Sequence, residues 1–305
     1  MSKGPTNSPA SVRQRLLNLS RQRNEDFQLV LIRYAAERLL YRLGQSSYAN
    51  DFVLKGAMLF SLWADVPHRA TLDLDLAGFG DDDMSRVLGV FREVCELAVE
   101  PDGLVFDTSG MTAEQIRDEQ QYGGVRLKIT TTLATARIPV RIDIGFGDAI
   151  TPDSQRLDYP AMLDLPGPRL WTYPKETVLA EKLQIMTTLG IGNSRMKDFF
   201  DLWVLIQDSS FDGRIVAAAI KATFERRGTP TPITCPMALG PEFTANASKQ
   251  AQWRGFLNRG RLGRECPALD DTTRAMATFF EPVLNGMAGT GFDARWSPGG
   301  PWLFD

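Results

Sequence analysis

Apolar residues recur at helical spacing early in the chain. Over 25–43, Phe27, Val30, Leu31 and Tyr34 share a stripe that Leu39 and Leu40 continue. That spacing predicts a helix, with Gly44 as its stop. A basic helix is expected before it, over 11–23. The period then shortens. Phe52, Val53 and Leu54 predict an extended approach to Lys55-Gly56, and a helix is expected over 57–63. A polar turn through Pro67 and His68 leads to Thr71-Leu72-Asp73-Leu74-Asp75, which reads as a strand closed by Gly78 and Gly80. An amphipathic helix is expected over 84–99. Strands are expected over 104–107, 125–133 and 137–146, with Pro139 near the start of the last or on an edge. The Pro-rich passage 152–174 reads as a connection. Beyond it, helices are expected over 176–189, 194–207, 213–226, 243–259 and 271–284, with a loop over 230–241. The chain therefore divides into an α/β domain, 1–171, and a helical domain, 172–305. No internal repeat or low-complexity segment appears.

Composition narrows the choices. A chain of 305 residues can bury one large core or two modest ones. No apolar run approaches a membrane span, and the first ten residues carry no hydrophobic leader core, so a cytoplasmic location without membrane attachment is expected. Cys95, Cys235 and Cys266 are too scattered for a disulfide framework or a zinc set, and Cys95 lies on an apolar helical stripe. The single histidine, His68, argues against any mechanism that needs a histidine pair. The net charge of −3 excludes a generally basic nucleic-acid binder. Positive charge still gathers at Lys3, Arg13, Arg15, Arg21, Arg23, Arg33, Arg38 and Arg42, and again at Arg254, Arg259, Arg261 and Arg264. Either cluster could meet a phosphate backbone or be a solvated helix face.

Side chains two apart on a strand share a face. Asp73 and Asp75 would thus present four oxygens on one side, with Leu72, Leu74 and Leu76 on the other. Like charges so close call for a cation, and hard divalent ions take carboxylates together with phosphates. The alternative is a solvent-facing pair of surface acids. Three further features fit a phosphate-handling site. Lys55-Gly56-Ala57 opens a helix, where backbone N–H groups can approach a phosphate. Asp143 lies between Ile142 and Ile144 and could converge on the same face, or pair with Arg126 or Arg141. Arg69 and Thr71 precede the acids and could contact phosphate, although Thr71 could equally be an ordinary strand hydroxyl.

Gly56, Asp73-x-Asp75 and a later strand carboxylate together resemble the DNA polymerase β nucleotidyltransferase superfamily. More narrowly, the chain resembles the AbiEii/AbiGii toxin family of nucleotidyltransferases. The resemblance rests on Phe52-Val53-Leu54-Lys55-Gly56-Ala57-Met58-Leu59-Phe60, Arg69-Ala70-Thr71-Leu72-Asp73-Leu74-Asp75-Leu76, Ile142-Asp143-Ile144-Gly145-Phe146-Gly147-Asp148, Ala180-Glu181-Lys182-Leu183 and Ser194-Arg195-Met196-Lys197-Asp198-Phe199-Phe200-Asp201-Leu202. It runs from about Phe27 to Trp203 and continues faintly through Gln252-Trp253-Arg254-Gly255-Phe256.

The resemblance implies an α+β nucleotidyltransferase fold with a mixed sheet, followed by a helical domain. By the same resemblance, Gly56 and the helix start would hold the phosphates, Lys55, Ala57, Arg69 and Thr71 would line the nucleotide, and Asp73 and Asp75 would bind Mg²⁺ or Mn²⁺. Asp143 would be a third metal carboxylate, with Asp148 its competitor. Lys182 would reach the triphosphate of an NTP. Asp198 would be the catalytic acid, with Asp201 either its competitor for that role or a structural acid that caps the helix or pairs with Arg195. Ala57 stands where family members often carry Gly or Ser. The implied activity is transfer of a nucleoside monophosphate to an acceptor, the 3′ end of tRNA, by a toxin with a separately encoded antitoxin. Two alternatives remain: a transferase acting on a small-molecule or protein hydroxyl, and a binding module without activity.

Overall fold

The structure, a computed structural model, describes residues 7–63, 69–116, 123–260, 262, 264–289 and 291–304. Lys3, Pro67, His68 and Arg261 lie outside the described residues. Those described within 1–65, 70–147 and 155–172 form one compact unit, and those within 66–69, 148–154 and 173–305 form another.

In the first unit, α1 (Pro9–Arg23) and α2 (Phe27–Gln45) are joined by a turn. Asp26 caps α2, accepting from the N–H groups of Gln28 and Leu29. α2 continues through Gly44, the expected stop. A Cβ on Gly44 would lie 2.7 Å from the carbonyl oxygen of Arg169. This glycine therefore serves close approach of backbones rather than helix termination.

Next come β1 (Phe52–Lys55), a 3₁₀ turn (Gly56–Leu59), α3 (Phe60–Trp63), β2 (Asp73–Gly78) and α4 (Met84–Glu96). The strands β3 (Leu104–Phe106), β4 (Thr112–Ile116), β5 (Gly124–Leu133), β6 (Ala136–Phe146), β7 (Gln155–Asp158) and β8 (Arg169–Thr172) follow. Among the described residues these strands form one mixed sheet in the order β3-β5-β6-β2-β1-β8-β7, with β4 on β5.

Two strands, β7 and β8, lie in the Pro-rich passage read as a connection, and β8 runs parallel to β1. Pro139 sits inside β6, yet β6 pairs with β2 only from Arg141 onward. At Pro139 that side of β6 is still an edge, so its missing N–H breaks no ladder bond to β2. Leu74 and Leu76 are buried beneath β2, but Leu72, expected beside them, precedes the strand and is 54% exposed.

The second unit holds α5 (Lys175–Leu189), α6 (Met196–Asp208), β9 (Phe211–Asp212), α7 (Gly213–Arg226), α8 (Pro241–Thr244), α9 (Ala247–Arg259) and α10 (Leu269–Met287), then β10 (Ala294–Trp296) and β11 (Trp302–Phe304). α5 packs on α7, and α6 on α10. β9, β10 and β11 form a small antiparallel sheet absent from the sequence expectation. Its strands are too short for a visible alternation. Aromatic packing holds it: Trp296 and Trp302 lie within 5.0 Å of Phe279, ring centre to ring centre, and donate to the carbonyls of Ile206 and Phe279. The cysteines are free; Cys95 is buried, which pushes its thiol up to about 12. No helix among the described residues is long and apolar enough to cross a membrane.

Much of the first basic cluster faces inward. Arg42 donates to Asp102 at 2.5 Å, and Arg38 to the same carboxylate at 3.4 Å. Arg33 pairs with Glu25. Arg38 and Arg42 are buried, which removes both from any surface for RNA. Beside them Glu37 is also buried and accepts from the Met162 N–H at 2.8 Å.

Burial raises Glu37 from 4.5 to about 7, against the Met162 hydrogen bond and the nearby Arg38 charge, which lower it. The proton is therefore bound more tightly in the folded state. Its stabilisation is full below about 4.5 and is lost as pH rises to 7. Between those limits, urea unfolding of Glu37→Gln should gain on the unsubstituted protein by at most about 3 kcal/mol. A pH-independent difference would remove Glu37 as the cause.

Candidate functional site

The site in the first unit begins with register. β2 runs parallel to β6 and antiparallel to β1, so Asp73 lies opposite Arg141, Asp75 opposite Asp143, and Lys55 opposite Asp75. Leu74 and Leu76 anchor the buried face of β2, and Ile142 and Ile144 that of β6. The alternation forces Asp73, Asp75 and Asp143 onto the opposite face.

Two arginines pair with two of these three acids. Arg126 donates to both oxygens of Asp143, from Nε at 2.7 Å and Nη2 at 2.6 Å. Arg141 Nη1 donates to Asp73 at 3.1 Å. The bonds from Asp143 hold the Arg126 guanidinium firmly charged, with Asp73 adding to the effect. Asp143 thus has the Arg126 partner that its sequence context offered as an alternative to metal binding.

Gly56 has φ +74°, and a Cβ there would fall 2.0 Å from Asp75 Oδ2. The glycine lets the chain turn hard against that carboxylate. The expected helix is a 3₁₀ turn followed by one α turn, so its dipole is short. Ala57 is buried, and the Thr71 hydroxyl donates to the Asp73 carbonyl at 3.2 Å.

Arg69, expected at the phosphates, belongs to the second unit. Its Nε and Nη2 donate to Asp201 at 2.6 and 2.8 Å. Lys182 Nζ donates to Asp198 at 2.6 Å and Asp201 at 2.8 Å, and Arg195 Nε to Asp198 at 2.6 Å. Burial alone would lower Lys182, but Asp198 and Asp201 outweigh it and leave the ammonium above its usual range. Burial would likewise raise Asp198, but Lys182 and Arg195 overcome it and hold the carboxyl low.

Asp148 lies elsewhere in this unit. It accepts from the Tyr173 hydroxyl at 2.9 Å and stands 3.6 Å from Arg227, which also meets Glu181. Sequence reading missed this group because its members are 79 positions apart.

Among the described residues no group of three or more His, Cys, Asp or Glu side chains stands in a metal-binding arrangement. The donor chemistry of the β2 face still fits a hard cation. It gathers carboxylate oxygens from Asp73, Asp75 and Asp143, the last two directly opposite each other, where Gly56 turns against Asp75.

A family model described as "Nucleotidyl transferase AbiEii toxin, Type IV TA system" matches residues 38–275. No curated protein matches. Two crystal structures from H. pylori are similar in outline: a candidate nucleotidyltransferase and the protein JHP933. Each is 14% identical with a TM-score of 0.45 over 82% of this chain, and they are covered over 89% and 86% of their own lengths.

Gly56→Ala should lower stability by about 2–4 kcal/mol, from the left-handed φ and the overlap with Asp75. Urea denaturation reads the loss. A variant as stable as the parent would show that Asp75 moves aside freely.

Proposed function

The chain belongs to the AbiEii family of nucleotidyl transferase toxins of type IV toxin–antitoxin systems, and from that premise we propose that it transfers a nucleoside monophosphate from an NTP to the 3′ end of tRNA. Pyrophosphate leaves, and the modified tRNA no longer supports translation. The observation that carries the reading is the single face of β2. Asp73 and Asp75 project from it, Asp143 stands directly opposite Asp75 on β6, and Gly56 turns against Asp75.

Asp73 and Asp75 would hold Mg²⁺ or Mn²⁺, with Asp143 as the neighbouring third carboxylate. Once bound, the ion would offset the charge that develops on the transferring phosphoryl group. The chain's own part is positioning. Gly56 keeps backbone N–H groups within reach of phosphate oxygens, between Lys55 and the buried Ala57. In the second unit, Lys182 presents a fixed ammonium, a point charge suited to a phosphate.

Arg254 and Arg259 are exposed on α9, and Arg21 and Arg23 at the end of α1. These are exposed cations, among the described residues, that could meet an RNA backbone. A separately encoded antitoxin is the protein partner, and a cytoplasmic location follows from the acceptor.

Purified protein given Mg²⁺, each labelled NTP and total tRNA should label RNA, and Asp73→Ala should lower labelling at least about 100-fold. Label on a small molecule or on protein would move the acceptor to a hydroxyl of that class. No label from any NTP would sink the reading. A second measurement separates enzyme from binding module: millimolar Mn²⁺ should raise the melting temperature of the parent and leave Asp73→Ala/Asp75→Ala unchanged, because only a ligand of the folded state stabilises it.

A further inference from the structure

The charge cluster of the second unit has a geometry of its own. Asp198 and Asp201 lie on the first turns of α6, three residues apart and so on one face. Each is only 1% exposed. The Asp198 oxygens take one bond each, Oδ1 from Lys182 and Oδ2 from Arg195. The Asp201 oxygens take bonds from Arg69 and Lys182. Lys182 projects from α5 with its side chain 14% exposed. Two of its three N–H donors are committed to the two aspartates.

An acid or base must exchange its proton with a reacting atom, and a metal ligand must offer a lone pair to an incoming ion. In this structure Asp198 is held away from both tasks. It is covered, both oxygens accept from cations, and those cations favour its charged form. What it does have is a grip on Lys182, shared with Asp201. A lone lysine carries a flexible stem of four carbons. Two short bonds to carboxylates on a neighbouring helix remove that freedom. The third N–H is then aimed before any ligand arrives, and its cost of ordering has already been met by the fold.

We propose that Asp198 and Asp201 are positioning residues that together fix the ammonium of Lys182 for a phosphate chain. The phosphate half of this proposal rests on the nucleotidyltransferase reading; the fixing of Lys182 does not.

Two readouts keep them apart. The first needs no nucleotide. In a ¹H–¹⁵N spectrum the Lys182 ammonium should give a slowly exchanging signal, identified by its loss in Lys182→Met. Asp198→Asn and Asp201→Asn should each broaden it, and the double variant should abolish it. The second is affinity for a non-hydrolysable NTP, read by titration. Lys182→Met and the double Asn variant should weaken binding by similar factors, on the order of 10- to 100-fold. Adding Lys182→Met to the double Asn variant should cost nothing more, because all these changes remove one interaction.

The triple variant also guards against misfolding, since it removes the unpaired lysine with its partners. An ammonium signal that ignores both aspartates would overturn the proposal. So would full NTP affinity in Asp198→Asn with turnover lost, the mark of a group acting in the chemical step. A signal that responds as expected, with no NTP binding in any form, would support the fixing of Lys182 and count against the nucleotide reading.

Discussion

A carboxylate withdrawn from water must find a cation or lose its charge, and that constraint organises both units. Asp102 is met by Arg38 and Arg42, Asp143 by Arg126, and Asp198 and Asp201 by Lys182, Arg69 and Arg195. Glu37 shows the other outcome. It stands 3.5 Å from Arg38, one of its oxygens lacks a hydrogen bond, and burial raises its proton affinity instead. A chain with 34 basic and 37 acidic residues could have spread them all over its surface. Here Arg38 and Arg42 are spent inside the fold.

The second constraint is steric and falls on backbone. Two glycines show it. Gly44 sits within α2, where a side chain would strike the Arg169 carbonyl. Gly56 sits where a side chain would strike Asp75. Helix propensity would call both positions weak, and a sequence reader takes the first for a stop. Each instead permits a contact with a strand of the same sheet. β1 can carry Lys55 and Gly56 past Asp75 only because Gly56 has no Cβ and accepts a positive φ.

How much was legible follows from the range of each signal. The Asp-x-Asp alternation is local, and β2 lies where it was read. Helices with long apolar stripes, such as α2, α5 and α7, were visible for the same reason. β4, β7, β8 and the three short strands of the second unit were not. They have two to five residues, and pairing across the fold makes them strands rather than any internal period. Ion-pair partners were the least legible. Arg126 and Arg141 were both in view as partners for Asp143, but only the register of β5, β6 and β2 assigns Arg126 to Asp143 and Arg141 to Asp73. Likewise Arg69 is far in sequence from Asp201, and nothing in either segment announces the bond.

Burial then separates two kinds of acid that sequence alone treats alike. Asp73 and its partner Arg141 are about 34% and 47% exposed, in the range where an ion pair contributes roughly 0–1 kcal/mol. Such a pair costs little to open, and a guanidinium released from it returns to water. Asp198 and Asp201 are enclosed, and removing one partner there strands a charge at a cost of about 3–5 kcal/mol. The first kind of pair suits a place where ligands come and go. The second suits a frame that must not move while they do. An acid in a phosphate-handling protein is therefore better classified by how readily its cation can leave than by how strongly its neighbourhood suggests chemistry.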